Sequence, residues 1–156
     1  MVSTFRISAL LLSGLFSALA LAEAQSQERA FALTPDDPAL KWGSCPEFMP
    51  KGCEIAVLNG DPSQPNADIF FKVPGGSAIS RHWHTSPERM VLVSGELGVT
   101  YDEQETAILK PGMYAYGPAK LPHKAYCAEG APCVLFIAFE SPVDAVPTES
   151  AAKSSQ

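Results

Sequence analysis

The chain has only three histidines, and two of them stand two residues apart in SRHWHTSPERM, Ser80 to Met90. On an extended strand, residues two apart share a face. His82 and His84 therefore aim their rings together, while Trp83 points to the other side. If the turn Thr85–Pro87 folds the chain back, Glu88 begins the next strand close to the pair. His123 can then supply a third ring from a neighbouring strand. Three imidazoles and a carboxylate suit a divalent transition ion, with positions left open for water, oxygen or substrate. The plainer alternative is a strand that carries imidazoles by chance, since most histidines lie at the surface or are satisfied within a core. All three falling inside one patterned region puts the metal on an even footing with that alternative.

The elements that must position these residues read as short strands. Candidates are Glu54–Leu58, Asp68–Val73, Ala78–His84, Arg89–Val93, Leu97–Tyr101, Thr106–Leu109, Met113–Tyr116, His123–Cys127 and Val134–Phe139. Each is rich in Val, Ile, Phe or Tyr and is bounded by a turn signal such as NGDP, PGG, SGE, KPG or YGP. After the first 22 residues no segment shows a long apolar period of 3.6 residues. Strands at this spacing imply an all-β, antiparallel sandwich or barrel. The run VLFIAF, residues 134–139, is apolar on both faces, which we read as barrel core on one face and a second subunit on the other, hence a homodimer.

A chain of 156 residues is expected to form one domain. Met1–Ala22 reads as a secretory signal: Arg6 supplies the positive start, Ile7–Leu21 the apolar run, and Ala20-Leu21-Ala22 or Ala22-Glu23-Ala24 the cleavage box. Residues 23–40 are polar with scattered prolines and read as an arm or linker. The domain proper is placed at 41–142, and 143–156 is expected to be a disordered tail. Export places the protein outside the cell or in the periplasm. There, Cys45, Cys53, Cys127 and Cys133 are expected to form disulfides. Four cysteines allow three pairings, and the short separations in CPEFMPKGC and CAEGAPC favour the two local ones.

Removing the signal takes away Arg6 and leaves ten basic residues against 17 acidic ones, a formal charge of −7. That balance argues against nucleic acid and anionic membrane as partners, and fits a polysaccharide or a small-molecule substrate.

The residues around the histidines resemble the cupin family in detail. Gly76, SAISR, His82-Trp83-His84, TSP, Glu88, RMVLVS and Gly95 fit the first cupin motif at every position. Gly112, MYAYG, Pro118 and His123 keep the spacing of the second, with Lys120 where Gly is usual and Cys127 where Asn is usual. The resemblance covers about Glu54 to Phe139. It implies a double-stranded β-helix, the jelly-roll barrel, with one transition ion per chain held by His82, His84, His123 and Glu88, Glu88 also being the candidate catalytic group. It also implies that Cys127 exchanges the hydrogen bonds of the usual Asn for a disulfide to Cys133.

Affinity order favours copper at a nitrogen-rich site, with manganese, iron or zinc as alternatives. The chain further resembles small exported copper cupins that oxidatively cleave cellulose, so a copper oxidoreductase acting on a polysaccharide is the first expectation. A manganese or iron oxidase or dioxygenase acting on a small acid or phenolic is the second, and a non-catalytic metal- or sugar-binding cupin the third. Trp42, Tyr114, Tyr116 and Tyr126 are the candidates for stacking on sugar rings, against a simpler reading of Tyr114 and Tyr116 as ordinary packing. Arg81 and Arg89 bracket the site in sequence and are candidates to orient Glu88. Lys120 is a candidate for the cavity mouth, and surface solvation is the simpler role for all three cations.

Overall fold

The computed structural model describes residues 29–148. The expected signal, the arm before Arg29 and residues 149–156 lie outside the described residues. Eleven strands follow in chain order: β1 Trp42–Ser44, β2 Glu54–Asn59, β3 Ala67–Val73, β4 Ala78–Trp83, β5 Glu88–Ser94, β6 Leu97–Tyr101, β7 Ala107–Leu109, β8 Tyr114–Gly117, β9 His123–Cys127, β10 Cys133–Phe139 and β11 Val146–Pro147. They form a six-stranded sheet ordered β1-β2-β3-β10-β5-β8 and a five-stranded sheet ordered β11-β4-β9-β6-β7. Every pairing is antiparallel. The fold is the jelly-roll barrel expected from the sequence, and no helix interrupts it among the described residues.

Alternation along the strands builds the core. Ile69, Phe71 and Val73 of β3, Met90 and Leu92 of β5, Leu97 and Val99 of β6, and Leu135, Ile137 and Phe139 of β10 are buried in one cluster. Leu92 has no exposed surface, and truncating such a side chain to Ala typically costs about 2–5 kcal/mol. One departure from strict alternation serves the site. Ile79 pairs with Ala125 and His82 with His123, so three steps on β4 oppose two on β9. This β-bulge puts Ile79 and His82 on the same inner face despite their odd spacing.

Cys45–Cys53 and Cys127–Cys133 are disulfide-bonded, which is the local pairing and is compatible with an oxidising compartment. Gly95 turns between β5 and β6 at φ +81°, and a Cβ there would stand 2.8 Å from Cys133 Sγ. Both the backbone conformation and the close approach to the second disulfide require glycine. Lys120, at the other motif position usually held by Gly, adopts φ +61°, and its backbone N–H donates to the His84 carbonyl at 2.8 Å. The turn keeps the left-handed shape without the residue that adopts it most easily.

Two sequence expectations change here. Residues 143–148 are not a disordered tail: Val146 and Pro147 pair with Trp83 and His82, and Val143 packs against the core. Two short peptides, β1 and β11, thus join the sheets although their sequences carry no strand signal. Tyr114 and Tyr116 do not pack; they are 60% and 54% exposed on the outer side of β8. There Tyr114 ends a row of directly paired residues across the six-stranded sheet: Trp42, Ala56, Phe70, Phe136, Val91 and Tyr114. Phe136, from the second apolar face of VLFIAF, lies in this row, and Trp42 stacks on Phe70 at one end of it.

Candidate metal centre

Two cross-strand rows from the two sheets supply the site. On the five-stranded sheet, His82 pairs with His123 and His123 with Tyr101. On the six-stranded sheet, Phe139 pairs with Glu88 and Glu88 with Gly117. His84 follows β4 directly and completes the set. All of His82, His84, His123 and Glu88 are at least 93% buried. One ring nitrogen from each histidine lies within 4.8 Å of the others. The turn that brings Glu88 round is held by Ser86, a fully buried residue whose Oγ accepts the backbone N–H groups of Glu140 and Ser141 at 2.8 and 3.1 Å.

The hydrogen bonds fix what these rings can do. Nδ1 of His82 is 2.7 Å from the Ser80 carbonyl and Nδ1 of His123 is 3.2 Å from the Leu121 carbonyl. Nδ1 of His84 meets the Asp144 carbonyl. A carbonyl only accepts, so each Nδ1 carries the proton and each Nε2 presents a lone pair. Nε2 of His84 is buried with no hydrogen-bond partner. It faces Glu88 Oε1 at 3.3 Å, and Nε2 of His123 faces Glu88 Oε2 at 3.7 Å. Acceptors pointed at one another in a buried site require a cation or a proton between them. The three imidazoles form a cluster that could hold one metal ion, with Glu88 beside two of them, and backbone carbonyls behind the three rings set their tautomers.

Electrostatics agree. Burial pushes His84 down to about 4 and His123 down to about 3, and lowers His82. All three imidazoles are therefore neutral at pH 7, as a ligand must be. Burial, aided by the charge of Asp144, pushes Glu88 up to about 8, so without a cation it holds a proton.

A cavity of about 180 Å³ opens beside the four groups. Its walls are mostly apolar, from Ile69, Phe71, Met90, Leu135 and Ile137 among others, with Cys45, Pro46 and Met49 of the first disulfide loop and Val143–Ala145 of the C-terminal segment. Asp144 anchors that segment by accepting the Thr85 backbone N–H at 2.9 Å and the Thr85 hydroxyl at 2.5 Å.

Other sequence candidates fall elsewhere. Arg81 pairs with Asp102 and Arg89 with Glu140 at the surface, and neither lines the cavity; nor does Lys120. Trp42, Tyr114, Tyr116 and Tyr126 lie outside it. Trp83 is absent from its walls as well, as the strand alternation requires. Two residues of the site were not singled out from the sequence. Tyr101 lines the cavity with a buried, unpartnered hydroxyl, and Asp144 lies in the presumed tail. Tyr101 occupies an inward position of the pattern Leu97, Val99, Tyr101, which was the available signal.

An antiparallel jelly-roll with a three-histidine cluster that can hold one metal ion defines the class of protein. Residues 69–139 match the family model described as the cupin domain, and solved structures share the fold. Among solved structures, the DMSP lyase DddQ from Ruegeria pomeroyi is similar with a TM-score of 0.62 at 17% identity, over 73% of this chain and 64% of that chain. The polyketide cyclase RemF from Streptomyces resistomycificus gives 0.61 at 19% identity, over 72% and 82%. A cupin 2 conserved barrel domain protein from Rhodopseudomonas palustris gives 0.58 at 14% identity, over 71% and 79%. At these identities the likeness is one of fold, and this chain spans only 63% and 64% of the two DMSP lyase chains it matches. No curated protein matches the sequence.

Proposed function

We propose that the protein is a mononuclear metal enzyme that acts on a small, largely apolar molecule inside the barrel. The observation that supports this reading is the convergence of three buried imidazole Nε2 atoms and the Glu88 carboxyl at the wall of an apolar cavity of about 180 Å³. His82, His84, His123 and Glu88 hold the ion. A bound divalent ion would supply Lewis acidity and, if copper, manganese or iron, electron transfer to or from an oxidant.

The chain's own groups do the rest. The three backbone carbonyls keep the Nε2 lone pairs aimed inward, the apolar walls exclude water from the reacting molecule, and Glu88 is the carboxylate placed to take or return a proton at Oε1 or Oε2. The cavity beside the ligands separates this reading from a purely structural metal site, which is closed by protein. Oxidoreductase chemistry with copper is retained as the first choice on affinity grounds.

Cleavage of a polysaccharide such as cellulose gains no support from the geometry. A polymer needs an exposed metal, whereas the ligands are buried and the aromatic candidates for sugar stacking lie on the outer faces. Elemental analysis with electron paramagnetic resonance of the isolated protein, followed by oxygen consumption on phenolics and small acids, tests the proposal. About one ion per chain, lost in His84→Ala with the fold retained, is the expected result. A folded wild type that takes up no divalent ion overturns it.

A further inference from the structure

Among the described residues, Tyr101 is the one polar side chain of the cavity that neither holds the ion nor is held by another group. Its ring lies 4.7 Å from that of His123, centroid to centroid, and the residue is 8% exposed. Its hydroxyl is buried and has no hydrogen-bond partner among the described residues. Gly117, on the facing sheet, makes room for it. A Cβ at that position would overlap the Tyr101 hydroxyl and stand 3.1 Å from Glu88 Oε2. The hydroxyl is thus placed next to the ion-binding carboxylate. A phenol is protonated at neutral pH, and a buried donor left without an acceptor is costly.

Charge in the cavity is one-sided. Among the described residues, its ionisable groups other than histidine and tyrosine are Glu88 and Asp144, and no Lys or Arg lines it. Two acidic groups against a divalent ion leave no net positive charge to receive an anion. The walls around them are apolar.

We infer that the Tyr101 hydroxyl donates a hydrogen bond to an uncharged oxygen of the substrate beside the metal, and that the site selects small apolar carbonyl or hydroxyl compounds over carboxylates. This rests on the small-molecule reading above and names its substrate class. Tyr101 binds and orients the oxygen. Gly117 keeps the space in which it does so.

The test compares two ligands built on one ring, cyclohexanone and cyclohexanecarboxylate, by ligand-observed NMR titration of the zinc-loaded and the metal-free protein. Cyclohexanone is expected to bind wild type at least tenfold more tightly than the carboxylate. Tyr101→Phe, which keeps the ring, is expected to weaken cyclohexanone by about fivefold to tenfold with or without zinc, the worth of one hydrogen bond. Gly117→Ala, which crowds the hydroxyl, should give a loss in the same direction, and thermal denaturation checks that both variants fold. Equal or tighter binding of the carboxylate, unchanged cyclohexanone affinity in Tyr101→Phe, or no cyclohexanone binding at millimolar concentration overturns the inference. Zinc uptake is measured separately. A protein that takes up no metal yet shows the Tyr101 effect defeats the metal-enzyme reading and leaves the subsite standing.

Discussion

Whether Glu88 binds the ion can be read from protons. In the metal-free protein Glu88 is pushed up to about 8, so at pH 7 about 0.9 of the molecules carry a proton there, and at pH 9 about 0.1. His84 and His123 are lowered to about 4 and about 3, so they bring almost no protons to lose at either pH; His82 is lowered as well. Coordination by the carboxylate requires its ionised form. Adding one equivalent of zinc chloride at constant pH in unbuffered solution should therefore release about 0.9 proton per chain from Glu88 at pH 7 and about 0.1 at pH 9.

A zinc-bound water can also release a proton, but its share grows with pH, whereas that of Glu88 falls. Glu88→Gln keeps the shape and removes the carboxyl proton, so the difference between wild type and variant isolates the carboxyl. That difference should shrink from about 0.9 to about 0.1 between pH 7 and pH 9. If zinc binds and the difference is absent, or does not fall with pH, Glu88 does not ionise to coordinate and the four-ligand centre is wrong.

The same shifts govern the stability of the metal-free protein. Glu88 is raised to about 8, so its contribution is fully present below the unfolded value, near 4.5, and is lost as pH rises through 8. The lowered imidazoles act oppositely, their contribution being present above pH 6.5 and lost as pH falls towards 4 and 3. Thermal melts of metal-free wild type should therefore decline from about pH 7, where the imidazole contribution is nearly complete, to pH 9, and Glu88→Gln should flatten that decline; parallel curves would refute the assignment. Asp144→Ala frees the segment whose carbonyl fixes His84 and should weaken zinc by about tenfold in a chelator competition, with unchanged affinity counting against that role. Arg81→Ala and Arg89→Ala remove exposed pairs and should leave metal affinity within about twofold and the urea midpoint nearly unchanged; a large loss of metal would return these arginines to the site. The homodimer proposed from VLFIAF should appear by sedimentation velocity and dissociate in Phe136→Lys, and a monomeric wild type at micromolar concentration removes the idea.

The sequence carried much of this site because much of it is local. Strand alternation puts His82 and His84 on one face, and one short turn returns Glu88 to them. Nine strands were legible for a similar reason, each having its own β-branched or aromatic run and its own turn. The two that were not, Trp42–Ser44 and Val146–Pro147, exist by pairing with β2 and β4 rather than by propensity.

Tyr101 and Asp144 stayed hidden for a related cause. Tyr101 enters the site because β6 pairs with β9 in the register that sets it opposite His123, and a register is not written in either strand alone. Asp144 enters because a small polar segment, read as solvated, is drawn in by Thr85 and by a histidine that needs an acceptor for Nδ1–H. A buried ligand histidine requires a partner behind it; His82 and His123 find theirs two residues back in the chain, whereas His84 finds it 60 residues on, at the Asp144 carbonyl. The Tyr101 hydroxyl finds no acceptor within the described chain, and that directs attention to the substrate.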